Sequence, residues 1–155
     1  MEQKTKIHAE EGKQEIFITR SFDLPLELLF KAYVEADLVA QWMGTKVMKL
    51  ESKKHGAYQY VTSDAKGNIL LTSSGVIHNI IENELIIRTF EMENTPYPVQ
   101  LEYLQFERLT NDTSKLVMQV VYKSVADRDA LLKLPFAYGI NMAHQRLEET
   151  LNKLK

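Results

Sequence analysis

The chain has 155 residues, of which 45% are hydrophobic and 26% charged, as in an ordinary globular domain with a sizeable core. Its 19 basic and 21 acidic residues form no block of like charge, which argues against nucleic acid or an anionic membrane as the main partner. There is no cysteine, so disulfides and thiolate chemistry are excluded and a cytoplasmic location is expected. No apolar run reaches the roughly 20 residues of a membrane span, and the first residues contain no signal-peptide pattern.

The N-terminal part of the sequence predicts a tail, a strand and two helices. Residues 1–12 are polar and predict a loosely attached tail, which leaves a single domain over residues 13–155. Alternation of apolar and polar residues predicts a strand over residues 13–22. Pro25 suits the first turn of a helix, and Asp37 is the expected N-cap of a second, short helix.

From residue 45 onward the apolar residues recur at every second position, which predicts strands joined by short turns. Gly75 lies inside the longest of these strands and indicates a bulge or bend. Arg88 and Arg108 are interpreted as outward-facing strand residues. The predicted strands span residues 46–51, 57–63, 69–81, 85–92, 99–108 and 115–123.

The C-terminal part predicts a short helix followed by a long amphipathic one. Ser124 and Asp127 form a capping-box-like start, and Pro135 is expected to separate a helix over residues 127–134 from one over residues 136–152. One face of the long helix is apolar, with Phe136, Ile140, Ala143, Leu147, Leu151 and Leu154. The opposite face is expected to meet water, with Gln145, Arg146, Glu148, Glu149, Asn152 and Lys153.

A long amphipathic helix that follows a run of strands can bury its apolar stripe on the concave face of a twisted sheet. The sequence therefore predicts an α+β helix-grip fold. In this fold a seven-stranded antiparallel sheet wraps around the long C-terminal helix, and two short helices follow the first strand.

A stretch after the first strand resembles a known family signature. Residues 22–44 read F-D-L-P-L-E-L-L-F-K-A-Y-V-E-A-D-L-V-A-Q-W-M-G. They resemble the opening of the START-like (SRPBCC) superfamily, in the branch related to the C-terminal domain of activators of the ninety-kilodalton heat-shock chaperone's ATPase. The resemblance extends over about residues 14–154. The matching residues are Phe22, Asp23, Pro25, Glu27, Leu28, Phe30, Ala32, Leu38, Trp42 and Gly44.

The sequence departs from the family pattern at three places. Met43 replaces the second aromatic of a Trp-Trp-Gly-Pro motif, Ile140 replaces a Trp of the last helix, and His144 stands where a Leu is usual. The resemblance implies a cavity between the sheet and the long helix, which family members use for lipophilic or polycyclic small molecules. Other members of the family are cyclases or related enzymes, and some act on chaperones, so the resemblance also implies these functions as possibilities for this chain.

The candidate site residues are those expected to line such a cavity. Aromatic and methionine side chains suit a mainly apolar pocket, and Gly139 would leave room in it. His144 could donate to a ligand carbonyl or act as a general base near neutral pH. Core filling remains the alternative for each residue. The set comprises Trp42, Tyr58, Tyr60, Phe90, Tyr103, Met118, Tyr122, Phe136, Gly139, Ile140 and His144.

Three functions remain open at this point. The first is binding of a lipophilic small molecule, the second is a cyclase- or hydratase-like enzyme in the same cavity, and the third is a co-chaperone-like activator. No catalytic or nucleotide-binding motif is present, so no catalytic residue is assigned. His8, His55 and His78 have no metal-site spacing, and neither a metal nor a cofactor is expected. A homodimer through an exposed strand edge is also left open.

Overall fold

An antiparallel sheet of eight strands dominates the computed structural model, which describes residues 4–155. The first three residues of the predicted polar tail lie outside this part of the chain. The strands are β1 Lys6–His8, β2 Glu15–Phe22, β3 Lys46–Leu50, β4 Ala57–Ser63, β5 Ile69–Ile81, β6 Leu85–Met92, β7 Gln100–Arg108 and β8 Ser114–Val121. In space they follow the order β1-β2-β8-β7-β6-β5-β4-β3.

Two pairs of helices complete the fold. Helices α1 (Leu26–Val34) and α2 (Ala36–Met43) connect β2 to β3, whereas α3 (Val125–Leu132) and α4 (Phe136–Asn152) follow β8. The predicted α+β helix-grip arrangement is confirmed, with α4 as the long C-terminal helix. Within residues 4–155 no helix has the length and apolar character needed to cross a membrane.

The number of strands differs from the sequence prediction. Residues of the predicted tail form β1, in which Ile7 pairs with Ile18 of β2 and packs against the core. Seven strands were predicted because a three-residue segment with one apolar side chain contains too little alternation to be recognised. Its position is determined by the free edge of β2 and not by its own pattern.

The core lies between the concave face of the sheet and the helices. Even-numbered residues of β2 and β8 face inward, and Ile16 and Ile18 share one core with Leu147 and Leu151 of α4, all of them almost completely buried. Leu154 lies beyond the end of α4 and is exposed, so the predicted apolar stripe is one turn too long.

The predicted water-facing side of α4 needs one correction. Glu148 is buried, because its carboxylate accepts a hydrogen bond from Arg20 Nη2 at 2.7 Å and another from the Asp23 amide at 2.6 Å. The Arg20 side chain is fully buried and lies on the inward face of β2. Helical periodicity could not predict this contact, since it depends on a charge located 128 residues away.

Of the two N-caps named from the sequence, Ser124 and Asp37, one is confirmed. The hydroxyl of Ser124 accepts a hydrogen bond from the Asp127 amide at 3.1 Å, which confirms the N-cap of α3. Asp37 is not a cap, because it lies in the first turn of α2 and Glu35 occupies the N-cap position. An acidic side chain is favourable at both positions, and the sequence alone does not separate them.

Two glycines have opposite environments. A Cβ at Gly75 in β5 would lie 2.0 Å from the Thr89 carbonyl oxygen and 2.6 Å from the Tyr58 hydroxyl. Gly75 therefore allows the backbone of β6 to lie close to that of β5. The irregularity predicted in this strand lies further along, because the register between β5 and β6 shifts between Ile77 and Asn79. Gly139 in α4 is exposed, and a Cβ there would meet nothing within 4 Å.

These environments predict opposite effects of the same substitution. Gly75→Ala should lower the free energy of unfolding by about 2–3 kcal/mol, since the backbone of Thr89 cannot yield as a flexible side chain does. Gly139→Ala should raise it by about 0.5–1 kcal/mol through helix propensity. Urea unfolding measures the free energy of unfolding of both variants. An unchanged value for Gly75→Ala would contradict the close packing around Gly75.

Candidate functional site

A cavity of about 220 Å³ lies between the inward face of the sheet, α2 and α4. Arg146 and Phe136, which are not buried, mark its solvent side. Most of its wall is apolar, so water inside it would find few partners. The apolar lining consists of Ile18, Val39, Trp42, Met43, Phe90, Met118, Val120, Phe136, Ile140 and Ala143.

The cavity brings together most of the residues named from the sequence. Helix α2 contributes its tryptophan, and α4 contributes three side chains along one face. Strands β4, β6 and β8 contribute one aromatic residue or methionine each. The sequence-predicted residues that line the cavity are Trp42, Tyr60, Phe90, Met118, Phe136, Ile140 and His144.

Two predicted residues face away from the cavity. Tyr103 lies on β7 between Glu102 and Leu104, which point inward, so strand alternation puts its own side chain on the outer face. Gly139 precedes the cavity-lining Ile140 by one residue, and one residue of α-helix turns the side-chain direction by about 100°. Both predictions of inward position are therefore wrong.

Two further predicted residues are buried beside the cavity without lining it. Tyr58 packs against Tyr60 with ring centroids 5.1 Å apart, and its hydroxyl donates to the Thr89 carbonyl. Tyr122 lies just beyond β8 on the inward side, and its hydroxyl is buried without a hydrogen-bond partner among the described residues. Both residues act as core side chains in this structure.

The main polar group of the cavity is Arg88, and the prediction that it faces outward is wrong. Its side chain is 13% exposed and its Nε donates to Glu102 Oε1 at 2.9 Å. The other oxygen of Glu102 accepts from Gln100 Nε2 at 2.8 Å. Position on β6 could have identified Arg88, because it lies two residues after buried Ile86 and two before Phe90.

The guanidinium of Arg88 is held in place by its neighbours and remains open towards the cavity. It lies over the rings of Tyr58 and Tyr33, at 5.4 and 5.9 Å from their centroids. Its terminal nitrogens Nη1 and Nη2 have no hydrogen-bond partner among residues 4–155, and neither is sealed inside the core. They are therefore available to an acceptor atom inside the cavity.

Burial raises the pKa of the phenol groups beside Arg88. The pKa of Tyr33 and that of Tyr60 both lie above the ordinary value for this reason, so both side chains are neutral at physiological pH. A neutral phenol can donate a hydrogen bond but cannot serve as a base. The tyrosines thus add apolar surface and donor groups to this end of the cavity.

His144 forms another part of the wall and is 1% exposed. Its Nδ1 lies 2.9 Å from the Thr5 hydroxyl, and its Nε2 has no hydrogen-bond partner within the described part of the chain. Burial, with a smaller contribution from the positive charge of Arg20, lowers the pKa of His144 to about 3. The imidazole is therefore neutral near pH 7.

The charged groups in and near the cavity wall are paired. In the wall the buried guanidinium of Arg88 is paired with Glu102, and outside the wall that of Arg20 is paired with Glu148. Arg146 at the solvent side donates through Nε to the Trp42 carbonyl oxygen at 3.2 Å. Within residues 4–155 no group of three or more His, Asp or Glu side chains could hold a metal ion.

The depressed pKa of His144 predicts a pH dependence of stability. The unfolded chain takes up this proton near pH 6.5 and the folded chain only near pH 3, so stability is present above pH 6.5 and is lost as the pH falls towards 3. Relative to a His144→Gln variant, the wild type should lose up to about 1.4 kcal/mol per pH unit in this range. Urea unfolding at several pH values measures the difference, and parallel pH profiles would contradict a buried neutral imidazole.

Several solved structures share this fold. A protein from Rhodobacter sphaeroides is 19% identical with a TM-score of 0.85, over 96% of this chain and 99% of that chain. Another from Arthrobacter aurescens is 11% identical with a TM-score of 0.84, over 96% and 91% of the two chains. A third from Staphylococcus epidermidis is 19% identical with a TM-score of 0.80, over 97% and 95%. At these identities the similarity establishes the fold alone.

The sequence itself establishes the family. No curated protein matches the chain. The sequence model described as "Activator of Hsp90 ATPase homolog 1-like protein" matches residues 23–152, which confirms the resemblance drawn from the signature after the first strand. Because this match spans most of the chain, the protein belongs to the family of activator of Hsp90 ATPase homolog 1-like proteins.

Proposed function

We propose that this protein binds a small, uncharged lipophilic molecule with a hydrogen-bond acceptor in the cavity beneath α4. The observation that carries the proposal is an apolar cavity whose wall includes a guanidinium, that of Arg88, with two terminal nitrogens unpartnered among the described residues. Ligand sites generally combine an apolar lining with a few oriented polar groups.

The volume of the cavity limits the size of the ligand. At about 220 Å³ it is smaller than the roughly 300–1,000 Å³ typical of pockets for drug-sized ligands. A compact molecule of two fused rings with a short substituent suits this volume better than a sterol or a long acyl chain does. The flat rings of Trp42, Tyr60 and Phe90 favour a planar aromatic body.

The charge around Arg88 favours a neutral acceptor over an anion. Glu102 already compensates the guanidinium, and a ligand carboxylate would approach this second carboxylate in a site of low polarity. A ketone, aldehyde or amide oxygen would accept from Nη1 or Nη2 without adding charge. This argument supports a carbonyl compound as the ligand class.

The first test uses two probes of matched shape. 2-Acetylnaphthalene should raise the melting temperature through linkage, and 2-ethylnaphthalene, which lacks the acceptor, should raise it less. Ala143→Phe should abolish both shifts, because it adds a ring where Ala143 lines the cavity. Gly139→Leu is the matched control on the same helix and should keep both shifts, since its side chain points away.

Equal shifts in the Ala143→Phe variant and the wild type would contradict binding in this cavity. An absence of any shift in the wild type, with these probes and a wider set of lipophilic carbonyl compounds, would contradict the proposed function itself.

The second test concerns the polar end of the cavity. Replacing both partners, Arg88→Gln with Glu102→Gln, removes the guanidinium without leaving a buried unpaired charge. The preference for 2-acetylnaphthalene over 2-ethylnaphthalene should then fall by about tenfold or more, as expected for a lost hydrogen bond to a charged donor. Calorimetric titration measures it, and an unchanged preference would exclude Arg88 from recognition.

The family match favours a second candidate, activation of a heat-shock chaperone ATPase. Stimulation of the ATPase rate of purified Hsp90 by this protein would support it, and an unchanged rate would count against it. A cytoplasmic location and a homodimer through an exposed strand edge remain predictions, which cell fractionation and sedimentation can check.

A further inference from the structure

The segment that leads into β1 contacts one face of α4. The amide of Thr5 donates to Asn141 Oδ1 at 3.2 Å, its hydroxyl lies 2.9 Å from His144 Nδ1, and Lys4 Nζ lies 4.0 Å from Glu148 Oε2. The three helix residues are spaced three and four apart, so they form one continuous stripe. Pairing of β1 with β2 fixes the position of this segment along the helix.

The hydrogen bond between Thr5 and His144 can be made in two ways. If Nδ1 carries the proton and donates, then the hydroxyl hydrogen of Thr5 has no acceptor among the described residues and the Nε2 lone pair is also unused. If Thr5 donates to Nδ1, only the Nε2–H group lacks a partner. Thr5 is 5% exposed, so the first arrangement leaves one more buried polar group unsatisfied.

A doubly protonated ring is not an alternative near neutral pH. The guanidinium of Arg20, on the facing strand β2, repels a positive imidazole, and its partner Glu148 is already bonded at both oxygens. Lys4 adds a further positive charge on the side of the N-terminal segment. The ring therefore remains neutral, and its tautomer decides which hydrogen-bonding group it offers.

We infer that Thr5 is a positioning residue: it holds His144, a side chain of the cavity wall, as the Nε2–H tautomer. The tautomer is a property of the unliganded protein, so its test does not depend on the proposed function. The N-terminal segment thus orients a side chain of the cavity wall, although Thr5 does not line the cavity.

The tautomer is tested by nitrogen NMR of the unliganded, histidine-labelled protein near pH 7. We expect a protonated Nε2 and an unprotonated, hydrogen-bonded Nδ1 for His144. In Thr5→Val, which keeps the shape of the side chain, the Nδ1 resonance should move towards that of a nitrogen without a hydrogen bond. Thr5→Ser should restore the wild-type position. A protonated Nδ1 in the wild type would overturn the inference.

Discussion

The buried ion pair between Glu148 and Arg20 determines how α4 lies on the sheet. One oxygen of the Glu148 carboxylate accepts a hydrogen bond from Arg20 of β2. The other accepts a hydrogen bond from the amide of Asp23, in the short segment between β2 and α1. A buried charge that lost its partner would be strongly destabilising, so the helix cannot slide by a turn without separating this pair. Leu147 and Leu151 are fully buried beside it.

This anchor acts on the C-terminal half of α4 only. In the N-terminal half, Phe136, Ile140 and Ala143 are only partly buried, and they line the cavity. No buried ion pair among the described residues fixes this half of the helix. The polar anchor therefore lies away from the side chains that α4 contributes to the mouth of the cavity, although the apolar stripe by itself would favour closer contact with the sheet.

Periodicity and turn chemistry were sufficient to predict much of the fold. The bounds of β4, β5, β6 and α4 agree with the sequence predictions, because long periodic runs ended by glycine, asparagine or proline leave few alternatives. Strand β1 was missed because a partner strand and not its own pattern creates it. The inward position of Arg88 was missed because a charged residue was assigned to the surface by type, although its parity with Ile86 indicated the core.

The site was less predictable than the fold for the same physical reason. Aromatic residues on inward positions can either fill a core or line a cavity, and Tyr58 and Tyr60, two residues apart on β4, do one each. Which of them borders the cavity depends on the position of α4, and this depends in turn on a contact between Arg20 and Glu148. Pairwise contacts over such sequence separations leave no local pattern.

The polar groups of the cavity also bear on the choice between binding and catalysis. Arg88 offers donors, and neutral Tyr33 and Tyr60 can donate but cannot act as bases. The carboxylate in the wall, that of Glu102, already accepts hydrogen bonds from Arg88 and Gln100 at its two oxygens. A general base needs a free lone pair within reach of the proton that it removes. The imidazole of His144 offers no such lone pair, because its Nδ1 lies against the Thr5 hydroxyl and its Nε2 is enclosed in the core. Among the described residues, this arrangement suits retention of an acceptor-bearing molecule better than proton abstraction from it.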